Sequence, residues 1–405
     1  MYQMRQWIAA AEAELNREFA LERLLDLTAA PGPTAEPGPE GAEPGLAAEP
    51  FPNAQPRPSA EPLPNAQPRP SAAPVPTHHA LAWEQARARA RDSAGQPLPL
   101  VTRDLDAALG HALAGPLTAL TALTAPTGLT DVPPAGSVPS PPRRQEGRTG
   151  EVLLPAGTVV TPVVLGLAAA AGHDRLAVHR RARVELLLLG KELPPSGPAR
   201  AHRAPDVIGP LLPPWLTRHG AEVIGRRRVQ EDTARLRDAL RDSTADVVVV
   251  AGGTAAGPTD PLRTALGGSG ARLLVDSVAV RPGHPMLLAE LPPSPDGRPR
   301  FLVGLPGEPQ AAVAGAVTLA VPLLRRLGGH ADPEPHRMYA AVDLPGHPHD
   351  TRLVPVRRAA HGVAPLACDG PAKLLGLAVA DGLAVVPPGG APAGTDVEVL
   401  EVPGP

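Results

Sequence analysis

The stretch VVVVAGGTAAGPTD, Val247 to Asp260, decides the fold. Four valines and an alanine run without a polar break, then come a glycine pair, small residues and a carboxylate. An apolar run of strand length with no alternation suits a strand buried on both faces, as in a parallel sheet. RVELLLLG (183–190) has the same character. Two helical patterns lie between them: PDVIGPLLPPWLTRHG (205–220), interrupted by prolines, and EDTARLRDALRDS (231–243), which opens on acids and closes on Arg241 as the helix dipole prefers. Strands alternating with helices predict a doubly wound, mostly parallel α/β sheet, whose ligands bind beyond the carboxyl ends of the strands. GKEL (190–193) and GGTAAGPTD (252–260) then share one rim.

Further along, LLVDSVAV (273–280) reads as a strand leading into the turn RPGHP (281–285). RFLV (300–303) reads as another, followed by LPGEPQ (305–310) and a long helix with Glu308 at its amino end and Pro309 as first residue. Residues 331–405 carry short apolar runs between Gly and Pro turns and predict a small C-terminal β domain. Upstream, 80–94 reads as a helix, 104–120 as a helix stopped at Gly110 and then a strand-like run, and 121–150 as loop. A strand begins at 151, with a turn at 155–158 and a helix over 162–171, for which Thr161 is the N-cap.

The first 29 residues carry an amphipathic helix, Met4 to Leu27, with Ile8, Ala11, Leu15 and Phe19 at helical spacing. Packing on its own chain and docking on a protein partner through residues 1–76 suit it equally. Residues 30–76 are Pro/Ala-rich and hold a twelve-residue repeat, FPNAQPRPSAEP then LPNAQPRPSAAP, which predicts a disordered, partly polyproline II linker. Among 405 residues there are 56 Pro, 41 Gly, only 2% aromatics and a formal net charge of −3. That balance gives no basic field for nucleic acid and no polybasic membrane signal. No apolar run of membrane length stands out, and the acids at Glu12, Glu14 and Glu18 preclude a signal peptide. The lone cysteine, Cys368, suits a reducing compartment, and the expected location is cytoplasmic. Neither His284 nor the pair in GHPHD (346–350) completes a metal set.

From about residue 77 to 403 the order of motifs resembles the molybdopterin molybdotransferases, the MoeA and gephyrin E-domain family. LGKEL (189–193) resembles the family's T-G-D/N-E-L, GGTAAGPTD its G-G-V-S-V-G-D-x-D, RPGHP its K/R-P-G-K-P, and LPGEPQA its L-P-G-N-P-V-S. LDAALGHALAGPLTALTAL (105–123) resembles the opening block, and the terminal KLLGLAVADGLAVVPPGG the C-terminal β domain. The resemblance implies a pterin-binding sheet domain at 182–330, a reduced N-terminal domain at 77–181 with a subdomain deleted near 121–150, and a β domain at 331–405. It implies a homodimer, magnesium as cofactor, and molybdopterin or adenylylated molybdopterin as ligand, into which molybdate is inserted.

Carried over residue by residue, Gly190, Gly252, Gly253, Gly257, Gly283, Gly307 and Lys191 are the candidate pterin and phosphate contacts. Asp260, Glu192 and Asp131 are the candidate catalytic acids, the first two also as metal ligands. The departures fall on the metal chemistry. Lys191 and Pro258 stand where the family has acids, and Glu308 where it has asparagine. Magnesium wants oxygen ligands, so these changes thin its site. Two functions follow: a molybdotransferase with a degenerate metal site, or a scaffold or regulatory paralogue that keeps the ligand.

Overall fold

The computed structural model describes residues 80–123, 147–190, 206–254, 260–366 and 373–402. The N-terminal helix, the Pro-rich repeat and Cys368 lie outside them.

Six strands make the central sheet: β1 (Ala182–Leu189), β2 (Ala221–Val229), β3 (Val247–Ala251), β4 (Arg272–Asp276), β5 (Leu287–Leu291) and β6 (Arg300–Leu305). They lie in the order β2-β1-β3-β6-β5-β4. β2, β1, β3 and β6 pair in parallel, and β5 is antiparallel to both β6 and β4, so β5 alone runs against the rest. The unbroken apolar runs have a direct cause, for the sheet has a core on each face. Leu186, Val247, Val249, Phe301 and Val303 point to one, and Leu187, Val248, Val250 and Leu302 to the other. The first core is closed by α1 (Ile208–Arg218) and α4 (Pro309–Leu327), together with the helix Trp83–Ser93; the second by α2 (Thr233–Asp242) and α3 (Pro261–Gly267).

α4 is the centre of the first core. It is 19 residues long, and by length and composition alone it could cross a membrane, which the reading of the sequence overlooked. In the fold, however, 78% of it is buried within the protein. Its middle turn, Ala316–Ala320, is a π segment. There the buried Thr318 hydroxyl donates to Ala314 O and accepts from Trp83 Nε1 at 3.1 Å, docking the helix Trp83–Ser93.

LLVDSVAV is not one strand. Asp276 ends β4, Ser277 takes φ +71°, and Val278–Arg281 leaves for a second sheet. A left-handed residue reverses side-chain sense, which the apolar pattern alone could not reveal. That second sheet has seven strands. Five come from the C-terminal region (Arg337–Tyr339, Thr351–Ala359, Gly362–Pro365, Gly382–Val386 and Asp396–Leu400), and Val278–Arg281 and Leu81–Ala82 extend it. In the N-terminal region, Thr161 caps the helix Pro162–Ala170 through Val164 N. The strand-like run before residue 120 shrinks to Leu117–Thr118, which pairs with Val152–Leu154.

The amino ends of β1, β3 and β6 are fastened by one buried carboxylate. Asp246, 2% exposed, takes Arg180 Nη1 at 2.8 Å, Arg298 Nη1 at 2.7 Å and the Arg183 amide at 2.7 Å. Its own carbonyl accepts from Phe301 N. Asp246→Ala is expected to destabilise the fold by about 3 kcal/mol, because the Arg180 guanidinium loses its counter-charge and the Arg183 amide its acceptor, while Arg298 keeps Asp296. Chemical denaturation at neutral pH checks this.

Two imidazoles are buried near the carboxyl end of α4. His219 and His330 are each 7% exposed, and His219 Nε2 and His330 Nδ1 have no hydrogen-bond partner among the described residues. Burial, reinforced by Arg325 and then Arg218 for His219 and by Arg325 and Arg181 for His330, lowers both pKa values from 6.5 to about 4. The folded state binds these protons less readily than the unfolded one. Stability is therefore intact above pH 6.5 and falls as pH drops from there towards about 4. The loss is at most about 3 kcal/mol for each ring. Urea melts across that window are expected to show the slope, and His330→Gln to flatten it.

Candidate functional site

Parallel pairing places the carboxyl ends of β1, β3 and β6 side by side: Leu188 is level with Ala251, and Ala251 with Leu305. The chain continues from these ends into Gly190, into Gly252 and Gly253, and into Pro306 and Gly307. Gly252 N donates to Leu305 O at 2.9 Å, which draws the β3 turn towards β6. Gly252 has φ +95°, and a Cβ there would lie 2.9 Å from Leu189 O. Gly253 has φ +63°, and its Cβ would lie 2.7 Å from Leu189 Cδ1. Both positions thus require glycine for the chain's own packing, before any ligand is considered. Gly307 differs: it is exposed, and among the described residues a Cβ there would meet only Gly252 Cα, at 3.5 Å. The rim is exposed or half-buried backbone at three strand ends.

Among the acids expected on this rim, Asp260 is described and is wholly enclosed. Its Oδ1 accepts from Leu262 N at 2.8 Å and Arg263 N at 3.3 Å, capping α3, and its Oδ2 accepts from Arg263 Nη1 at 2.5 Å. The side chain has no exposed surface. Arg263 also donates through Nε and Nη2 to Asp276 Oδ1, at 3.0 and 2.5 Å, so one guanidinium ties the start of α3 to the end of β4. Burial opposes its charge, but the hydrogen bonds to Asp276 and Asp260 outweigh it, and its pKa is raised. Sequence reasoning missed Arg263 and Asp276. The three-residue spacing of Asp260 and Arg263 in a first helical turn was a usable signal; Asp276 becomes visible only in three dimensions.

Glu308 is exposed and caps α4: Oε2 accepts from Ala311 N at 2.8 Å and Oε1 from Gln310 N at 3.2 Å. Gly283 stands apart from the rim notch. Its Cβ would meet Met286 Cε at 2.9 Å and Ala311 O at 3.2 Å, so the RPGHP turn leans on the first turns of α4. Arg281 in that turn pairs with Asp350 at 2.7 Å, and His347 Nδ1 accepts from Asp350 N, which accounts for the GHPHD loop by its own contacts. Asp206 accepts from Gly209 N at 2.8 Å at the start of α1 and from Arg228 Nη2 at 2.9 Å. Asp131, Lys191, Glu192, Gly257 and Pro258 lie outside the described residues. Among the described residues no three His, Cys, Asp or Glu gather as a metal set. With Asp260 enclosed as well, the described residues do not furnish a magnesium site.

Residues 185–326, which contain the rim, match the family described as a probable molybdopterin binding domain, and residues 337–402 match the MoeA C-terminal region, domain IV. Among solved structures, a molybdopterin biosynthesis MoeA protein from Pyrococcus horikosii superposes with a TM-score of 0.61 at 18% identity, covering 80% of this chain and 99% of that one. A molybdenum cofactor biosynthesis protein from Pyrococcus furiosus gives 0.56 at 19%, covering 79% and 98%. These likenesses carry the fold. In sequence, the molybdopterin molybdenumtransferase of Nostoc sp. is 31% identical over 187 residues, 45% of this chain but only 42% of that protein. Molybdopterin molybdenumtransferase 2 of Mycobacterium tuberculosis is 31% identical over 285 residues, 62% of this chain and 69% of its own length. An identity of that order sustained over more than two thirds of a relative, on a matching fold, makes this chain a member of the molybdopterin molybdenumtransferase family.

Proposed function

We propose that the chain acts in molybdenum cofactor biosynthesis, binding molybdopterin or its adenylylated form on the rim formed by Gly190, Gly252, Gly253 and Gly307. The observation that carries this reading is the rim itself. Three buried parallel strands end level with one another and each runs on into glycine, inside the segment that matches a pterin-binding family. Backbone amides at strand ends and at a helix start are the kind of donors that a phosphate group needs, although here Gly190 N and Gly252 N serve Val229 O and Leu305 O, and Gln310 N and Ala311 N serve the Glu308 carboxylate. Gly257 and Lys191 would extend the same rim.

The finer reading is a molybdotransferase whose metal chemistry is reduced. The Asp260 carboxylate serves α3 and Arg263, Lys191 and Pro258 replace acids, and Glu192 and Asp131 are left as the acids for orienting a metal or ligand. The same observations favour a second reading, a scaffold or regulatory paralogue that binds the pterin without turnover. A protein partner engaging residues 1–76 would fit that role; a cytoplasmic homodimer fits both. The pairing of Leu117–Thr118 with Val152–Leu154, and of Leu123 N with Gly147 O, supports a short connection where the family carries a subdomain.

Titration with molybdopterin, followed by incubation of the adenylylated form with molybdate and magnesium, separates these readings. Binding with turnover gives the enzyme, binding without turnover gives the scaffold, and no binding refutes both. The rim is best probed at Gly307, since the fold itself forbids side chains at Gly252 and Gly253. Gly307→Val is expected to leave the thermal midpoint nearly unchanged while weakening pterin binding about tenfold or more, by covering the rim. Unchanged affinity would remove the ligand from this rim.

A further inference from the structure

We propose that the protein carries a second ligand site, apart from the rim, that takes a small organic monoanion: one carboxylate on an apolar body. The site is a cavity of about 470 Å³ against the second half of α4, where the helix Trp83–Ser93 and the C-terminal region meet. The rim adjoins the first turn of the same helix, at its other end. A cavity of this size falls in the range of small-molecule pockets, which favour seams of this kind.

Its chemistry is set by two guanidiniums. Arg87 and Arg325 both line the cavity, both are half-buried, and neither makes an ion pair among the described residues. Arg87 Nη1 donates to Val317 O at 2.8 Å, with its guanidinium 4.8 Å from the centre of the Trp83 ring. Arg325 Nη2 donates to Ala331 O at 2.6 Å, and Arg325 Nε has no partner among the described residues. The buried ring of His219 lines the same cavity, and its Nε2 is likewise unpartnered there. Taking a guanidinium out of water without a counter-charge is costly, and burial lowers the pKa of both. Most of their N–H donors remain available, and a planar carboxylate is the partner that matches the guanidinium fork.

The acids around the cavity limit the charge it accepts. Glu84, Asp332, Glu334 and Glu401 line it but are exposed; Asp332 lies 3.5 Å from Arg91, and Glu401 lies 2.5 Å from Arg218. Glu398 is half-buried and acts on Arg87 from beyond ion-pair distance. A single negative charge therefore meets two guanidiniums, whereas a polyanion also meets these carboxylates. Trp83, Val317, Val321, Pro322, Val399 and Leu400 give the wall an apolar part that suits a hydrocarbon body. Attraction at the arginines and repulsion at the acids together select a monocarboxylate over a nucleotide or a free phosphate.

The test titrates the full chain by calorimetry and by thermal midpoint. Benzoate and hexanoate serve as apolar monocarboxylates, benzamide as the neutral counterpart, and citrate and inorganic phosphate as the more highly charged anions. At least one of the two monocarboxylates is expected to bind saturably, and benzamide, citrate and phosphate to bind about tenfold or more weakly. Arg87→Gln and Arg325→Gln are each expected to weaken monocarboxylate binding by about tenfold. If either variant fails to fold, the comparison of charged and neutral probes on the unmodified chain still decides. Benzamide binding as tightly as benzoate overturns the proposal, because the cavity would then be an apolar hollow without charge recognition. No saturable binding of either monocarboxylate overturns it, as does tighter binding of citrate or phosphate. Folded variants that bind like the parent overturn it as well, since the anion would then sit elsewhere.

Discussion

Asp246 sits at the amino end of β3, and the rim sits at the other end of the same strand. One carboxylate gathers Arg180, Arg298 and the Arg183 amide, while its own backbone meets β1 and β6. Register in a parallel sheet is transmitted along the strand, and a slip of one residue would turn every side chain to the other face. Because the sheet is apolar on both faces, hydrophobic patterning alone resists such a slip weakly. A valine moved by one place still lands in a core. The charge cluster supplies the discrimination that the valines lack, and the level ending of three strands follows from it.

At the far end the chain uses absence of side chains as its material. Gly252 and Gly253 turn left-handed, and the turn packs closely against Leu189. Around that turn the charged residues are arranged conservatively. Asp260 and Asp276 are both held by Arg263, and Glu308 by the amides of α4. The carboxylates nearest the rim that are described serve the protein's own helices.

Much of this was legible in the sequence. Val247–Ala251 and Ala182–Leu189 announced strands buried on both faces by continuous apolarity, and Asp232 and Thr161 announced helix starts by residue type. Gly252 and Gly307 lie beside one another at the strand ends, and Gly283 packs on α4. What stayed hidden depended on three-dimensional partners. The split at Ser277 needed a backbone angle, the Arg263 clamp needed the far end of β4, and the burial of His219 and His330 needed the approach of α4 and Arg325. Asp260 shows the limit most clearly. A carboxylate after a glycine-rich turn has the same spelling whether it faces a ligand or caps the next helix.

The paired strands Leu117–Thr118 and Val152–Leu154 carry a wider meaning. Ala119 and Glu151 continue the contact through Ala119 N to Glu151 O, and Leu123 N reaches Gly147 O, so the two chain ends stand together before residue 124 and after residue 146. A junction closed in this way is indifferent to what hangs from it, since the entropy of closing a loop grows only slowly with its length. The position behaves as a port: whole modules can be gained, lost or exchanged there while the two sheets keep their cores. A foreign domain grafted between residues 124 and 146 would inherit a ready-made base.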